Sequence, residues 1–187
     1  TQPMDDTLQF VSLIGYRATG KTSVARLLSA ATGWPWTDVD EQIEARAGKS
    51  IARIFAEDGE PAFRDLEAAV VADWCERRPL VLSTGGGTPL RDANRRALRA
   101  AGKVVWLTAR AETIWTRMSA DATTTARRPS LTDKNPWDEI VALLAVREPI
   151  YRETADLVID TETATVEQIA AEIVRRLNLP TEKGSLP

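Results

Sequence analysis

Residues 15–22 read GYRATGKT: a glycine, four intervening residues, then Gly-Lys-Thr. That spacing is the pattern of a phosphate-binding loop. Gly15 and Gly20 let the backbone wrap a phosphate with its N–H groups pointing inward. Lys21 can reach the β- and γ-phosphates of a nucleoside triphosphate, and the Thr22 hydroxyl can ligate Mg²⁺. Tyr16, Arg17, Ala18, Thr19 and Ser23 complete the expected nucleotide-contacting run. The context also fits, because an apolar strand pattern precedes the loop and a helical one follows, whose N-terminus favours an anion. A Gly-containing turn that matches by chance is the plainer alternative. The loop supplies a phosphate donor and leaves the acceptor open.

Three further signals bear on the acceptor. TDVD (37–40) puts Asp38 and Asp40 at the end of a short strand. Residues two apart on a strand share a face, so both carboxylates can point into one crevice. One would hold Mg²⁺-bound water while the other orients or deprotonates an acceptor hydroxyl. The consecutive glycines Gly85, Gly86 and Gly87 follow another strand pattern. Three glycines are costly in backbone entropy unless something approaches the chain closely, so their N–H groups are candidate donors to an acceptor. Arg64 and Arg147 are suited to bidentate capture of a carboxylate. Each signal also has an ordinary structural reading, as a helix cap, a flexible turn or a surface arginine.

The elements that must carry these residues are legible in the apolar spacing. Strand patterns fall at 8–14, 36–39, 79–84, 103–108 and 156–160. Helical patterns fall at 21–32, from about 40, from Ser50 to near Gly59, from Pro61 through Trp74, and at 92–101, 111–119, 137–154 and 166–177. Such alternation predicts an α/β fold with right-handed crossovers and a parallel sheet covered on both faces.

Composition narrows the chemistry. The chain has 187 residues, 43% hydrophobic and 27% charged, with a net charge of −3 and a pI near 5.2. That balance offers no basic surface for nucleic acid. No run of about 18 apolar residues marks a membrane span, and no charged-then-apolar leader is read at the start. There is no histidine, which excludes His-dependent triads and His-ligated metal sites. The single Cys75 excludes an intrachain disulfide framework and fits a reducing cytosol.

Taken in order, these residues resemble shikimate kinase, from about Phe10 to Leu177. The series is GxxxxGKT, the D-x-D of Asp38 and Asp40, SIARIFAEDGEPAFRDLE (50–67), GGG (85–87), NRRAL (94–98), an Arg-Pro in a loop, and R-x-P-x-Y (147–151). The resemblance implies a three-layer P-loop kinase fold, like that of nucleoside monophosphate kinases, with a five-stranded parallel sheet in the order 2-3-1-4-5. It implies one domain over 7–178 with a mobile lid at about 120–136, and flexible tails at 1–6 and 179–187. The implied reaction moves the γ-phosphate of ATP to the 3-hydroxyl of shikimate in aromatic amino acid biosynthesis. Lys21, Asp40 and Arg128 would be catalytic. Asp40, Arg64, Gly85, Gly86, Gly87 and Arg147 would hold shikimate, and Thr22 and Asp38 would serve Mg²⁺.

Residues 120–137, ADATTTARRPSLTDKNPW, show no periodicity, and structureless loops beyond roughly 12–15 residues are uncommon unless functional or disordered. In the family such a stretch closes over ATP and presents an arginine before a proline, usually as Arg-Pro-Leu-Leu. Here the match is Arg128-Pro129-Ser130-Leu131, with Arg127 as the competing arginine and a longer interval from Arg117 than is usual. Arg117 aligns with the family's adenine-stacking arginine, and the adenine would pack near 161–165. The resemblance further implies a cytoplasmic monomer with ATP, Mg²⁺ and shikimate as its ligands. Another small-molecule P-loop kinase, for gluconate or a nucleotide, and a non-catalytic binding relative are the competing expectations.

Overall fold

Every residue of the strand Phe10–Ile14 (β1) is buried, and its apolar side chains divide by parity. Phe10 and Ile14 enter one core, Val11 and Leu13 another. The strand Leu80–Ser83 (β3) repeats the split, with Leu80 and Leu82 on the first side and Val81 on the second. In the strand Lys103–Thr108 (β4), Val104 and Trp106 face one core and Val105 and Leu107 the other. Apolar residues at both parities are what a strand needs when helices cover both faces of a sheet.

The computed structural model describes residues 9–121 and 130–182. Two outer strands, Trp36–Asp38 (β2) and Leu157–Asp160 (β5), complete a five-stranded sheet in the order β2-β3-β1-β4-β5. Every pairing is parallel. This is the order that the family resemblance implies. The helices Lys21–Thr32 (α1) and Val166–Leu177 (α7) cover the second core. Val39–Ala47 (α2), Ile51–Trp74 (α3) and Asp92–Ala101 (α4) cover the first. Ala111–Ala120 (α5) and Pro136–Thr154 (α6) meet around a small third core of Tyr16, Ile114, Ile140 and Leu144.

One local feature, the break at Gly59, follows the sequence expectation, and a second, the start of α2, differs in detail. Helix α3 runs on through Gly59, whose φ of 84° and ψ of 168° break it into two segments. Pro61 sits in the first turn of the second segment, where its missing N–H costs nothing. Strand β2 ends at Asp38, and α2 begins one residue before the expected start. Asp38 is the cap: its carboxylate accepts the Asp40 amide at 2.8 Å. Asp38 and Asp40 therefore leave the strand differently, one at its extended end and one in the first helical turn.

The chain leaves β1 for α1 on one face, and leaves β3 for α4 on the opposite face. Adjacent strands whose exits diverge open a crevice at their carboxyl ends, the usual ligand position in such sheets. Among the described residues, no helix is long and apolar enough to cross a membrane.

Cys75 closes α3 inside the first core. Burial pushes its thiol up to about 12, so at pH 8 it stays protonated and carries almost no thiolate. Because the thiolate is the reactive form, the folded chain should react with an alkylating reagent at pH 8 at under about 1% of the rate in denaturant. Equal labelling rates with and without denaturant would contradict this burial.

Candidate active site

The loop after β1 is set by three residues of positive φ: Gly15 at 145°, Ala18 at 60° and Gly20 at 89°. A Cβ on Gly15 would lie 2.5 Å from the Leu107 carbonyl oxygen, so only glycine fits against β4 there. The Thr19 hydroxyl donates to the Tyr16 carbonyl at 2.9 Å and braces the turn. Lys21 is buried in the loop's mouth, where its ammonium donates to the Gly15 and Tyr16 carbonyls at 2.8 and 2.7 Å. The cation is thus held at the point where a phosphate cradled by the loop would sit.

The Thr22 hydroxyl donates to Asp38 Oδ2 at 3.0 Å, while Asp38 Oδ1 caps α2. One carboxylate therefore ties the phosphate loop to the element that carries Asp40. A hydroxyl and a carboxylate are hard oxygen donors, and Mg²⁺ sites of kinases use few protein oxygens, with water and phosphate completing the shell. The donor set fits that ion, and among the described residues no cluster of three or more acidic or cysteine side chains forms a dedicated metal cage. A crevice of about 340 Å³ opens here, lined by Arg17, Lys21, Thr22, Asp38, Asp40 and Gly86, among others. Ala18, Gly20, Ser23, Ser83, Thr84 and Gly85 also border it. The Thr84 amide and hydroxyl both donate to the Leu13 carbonyl, at 3.1 and 2.8 Å.

The glycine run brings both predicted arginines to one place. A Cβ on Gly86 would lie 3.1 Å from Arg147 Nη1, and one on Gly87 would lie 2.5 Å from Arg64 Nη2. Two guanidinium groups thus abut consecutive residues of one loop. Arg147 is only 3% exposed, packs over the Tyr16 ring at 5.5 Å, and its Nε has no hydrogen-bond partner among the described residues. Burial raises the Tyr16 phenol above its usual range, against the opposing pull of Arg17 and Arg147. Arg64 lies over the Phe63 ring and pairs with Glu67 at 2.8 Å.

Arg117 bridges the two loops at the nucleotide end. Its Nη1 donates to the Ala18 carbonyl at 3.0 Å and the Thr161 hydroxyl at 3.2 Å, and its Nη2 to the Thr161 carbonyl at 3.2 Å. The region expected to hold adenine is therefore joined to the phosphate loop by the expected arginine. Arg127 and Arg128 lie outside the described residues.

Three supporting residues were not assigned from sequence. Glu67 is 1% exposed and divides its carboxylate between Arg64 and the Thr88 hydroxyl, the latter at 2.8 Å. Its helical spacing of three from Arg64 was the available signal. The Tyr151 hydroxyl donates to the Gly86 carbonyl at 2.5 Å, one turn after Arg147 on α6. Glu139 accepts hydrogen bonds from Ser130, Leu131 and Thr132 near Arg17, and nothing in the local sequence marks it.

With this geometry in view, comparison with known proteins gives a consistent picture. A statistical model of the family described as shikimate kinase matches residues 17–178. The chain is 44% identical over 167 residues to a shikimate kinase of Rhodopirellula baltica, covering 89% of each protein. It is 42% identical over 165 residues to one of Pseudomonas fluorescens, covering 88% of this chain and 94% of that protein. A solved shikimate kinase of Acinetobacter baumannii, in complex with shikimate, superposes with a TM-score of 0.86 at 35% identity, covering 92% of this chain and 94% of the other.

Gly15 offers a clean test of the phosphate loop. Gly15→Ala should destabilise the chain by ~2–4 kcal/mol, since it combines a positive φ with a backbone clash. Gly48→Ala, with positive φ but nothing within 4 Å of a built Cβ, should cost only about 1–2 kcal/mol. Urea unfolding of both variants checks the order, and a Gly15→Ala cost no larger than that of Gly48→Ala would refute the packing of this loop against β4.

Proposed function

The chain belongs to the shikimate kinase family, and we infer that it is an ATP-dependent kinase acting on the 3-hydroxyl of shikimate. The products are shikimate 3-phosphate and ADP. One observation carries this reading beyond the phosphate loop: Arg64 and Arg147 converge on Gly87 and Gly86, beside the crevice that holds Lys21 and Asp40. A phosphate donor site next to two guanidinium groups suits an acceptor that is itself a carboxylate bearing hydroxyls.

We assign roles as follows. The backbone of residues 15–20 cradles the phosphates, and Lys21 neutralises charge on the β- and γ-phosphates. Mg²⁺, held through Thr22 and the water-organising carboxylate of Asp38, would screen the phosphate oxygens. Arg64 and Arg147 bind the shikimate carboxylate, with N–H groups of Gly85, Gly86 and Gly87 as added donors. Asp40 binds the acceptor hydroxyl, orients its lone pair toward phosphorus and accepts its proton. Phosphoryl transfer demands mainly alignment and charge neutralisation, so the absence of histidine from the chain is no handicap. Arg117 lies beside the nucleotide base. Following the family, Arg128 brings a further cation to the transferred group.

Glu67 supports the acceptor end by fixing Arg64 before a ligand arrives, which lowers the ordering cost of binding. In line with its family we read residues 7–178 as one catalytic domain, working as a cytoplasmic monomer; a single-chain mass in sedimentation checks the last point.

Coupled ADP-release assays test the assignment. Shikimate should stimulate ADP release strongly, and gluconate, nucleoside monophosphates and buffer alone should not; release indifferent to shikimate would overturn it. Asp40→Asn should reduce kcat by roughly 10²-fold or more, as expected for loss of a group acting on the transferring proton. Arg64→Ala should mainly raise the shikimate KM. Arg128→Ala should lower kcat with shikimate affinity nearly kept, whereas a larger effect from Arg127→Ala would move that role one residue back.

A further inference from the structure

Glu139 is a buried acid far from the phosphate loop in sequence yet next to it in space. It lies in the first turn of α6 and is 4% exposed. That turn is stiffly held: Pro136 opens the helix, and the Asn135 side chain caps it by accepting the Asp138 amide at 2.9 Å. On one side the Glu139 carboxylate accepts the Ser130 hydroxyl, the Leu131 amide at 3.2 Å and the Thr132 hydroxyl at 3.3 Å. On the other, Arg17 Nη2 lies 3.5 Å from Oε1.

Arg17 occupies the third position of the phosphate loop, and its side chain is largely covered. It borders the crevice shared with Lys21 and Asp40, and also a neighbouring cavity of about 210 Å³ lined by Trp115, Met118, Ile140 and Glu139. A guanidinium between two spaces can aim its charge at either one. Anions in the crevice pull it one way, and a fixed counter-charge, together with the Tyr16 ring 5.9 Å from the guanidinium, holds it the other way. Glu139 is that counter-charge. A buried carboxylate is a weak source of stability compared with an apolar side chain of its size, and breaking a buried pair leaves the other charge uncompensated.

We propose that Glu139 is a positioning residue for phosphoryl transfer. It sets the direction of the Arg17 guanidinium at the mouth of the crevice and ties the phosphate loop to residues 130–132. Without Glu139, Arg17 collapses onto the phosphates, which strengthens ground-state binding of nucleotide and misplaces charge during transfer. The proposal rests on the kinase reading above, and the two fail differently. A wild-type chain with no shikimate-dependent ADP release would defeat that reading, whereas the present proposal is judged only on differences among active variants.

The test is a double-mutant cycle in the full chain with Arg17→Gln, Glu139→Gln and the pair. Glu139→Gln should lower kcat about tenfold and lower the ATP KM, while the double variant should be no worse than Arg17→Gln alone. The coupling between the two should be about tenfold in kcat, well within the range for residues in contact. Arg17→Lys should keep part of the activity with Glu139 present and lose that advantage in the Glu139→Gln background. Losses that simply multiply, or a Glu139→Gln defect that tracks the folded fraction with an unchanged ATP KM, would overturn the proposal. Should Glu139→Gln fail to fold, Ser130→Ala replaces it in the cycle, and additivity with Arg17→Gln is again the refuting result.

Discussion

One backbone carbonyl holds the two halves of the site together. Leu13, near the end of β1, accepts both the amide and the hydroxyl of Thr84, just beyond β3. The chain leaves these neighbouring strands toward opposite faces of the sheet, so their exits would splay without a tie. The double hydrogen bond keeps the phosphate loop and the glycine loop at fixed separation. Everything placed on either loop inherits that spacing. A Cβ on Gly86 would contact the Gly15 carbonyl oxygen at 3.6 Å and the Arg17 amide at 3.7 Å as well as Arg147. The phosphate-loop backbone and the Arg147 cation meet at that one residue.

Charge in the crevice is ordered by the same economy of fixed parts. Flexible side chains lose rotamer entropy when they bind, and a cation that must be immobilised by its ligand weakens the ligand's affinity. Here the arginines are held in advance. Glu67 fixes Arg64 while Thr88 occupies its second oxygen; Glu139 faces Arg17; the Tyr16 ring lies beneath Arg147. Arg117 is bound to backbone and hydroxyl oxygens from two loops. Preorganisation of this kind is where an alignment-driven reaction gains most, because phosphoryl transfer asks the protein for geometry and charge more than for covalent chemistry.

How far this could be read in the sequence depended on how local each feature is. The phosphate loop, the strand–helix alternation and the break at Gly59–Pro61 are encoded within a few residues, and their boundaries fell close to expectation. Strand order is non-local and came through the family resemblance rather than from periodicity. Asp38 and Asp40 do reach one crevice, but through a helix cap rather than strand alternation, because the Asp38 side chain prefers to satisfy an orphan N–H at the start of α2. Glu67 was visible as a residue but not as a partner, since Thr88 approaches it from another element. The pairing of Glu139 with Arg17 joins two distant segments with no motif on either side of the acid, and only the fold makes it legible.

The glycine run shows why the reading of a motif can be right in kind and incomplete in cause. Three glycines implied that something comes very close to the backbone. Arg64 and Arg147 are two such groups, near enough that a methyl group at 86 or 87 would press on a guanidinium, and the acceptor proposed above would be a third. These causes reinforce one another. If the arginines stood farther back, they would leave the N–H groups accessible but could not share a carboxylate with them. If the loop carried side chains, the arginines would be pushed out of register before any ligand bound. Because Tyr151 additionally fixes the Gly86 carbonyl from α6, the same helix that carries Arg147 also sets the height of the backbone facing it. The end of the site proposed to take the acceptor is therefore specified by α3 and α6 closing on a loop with no side chains of its own, and a substitution in that contact alters cation and backbone together.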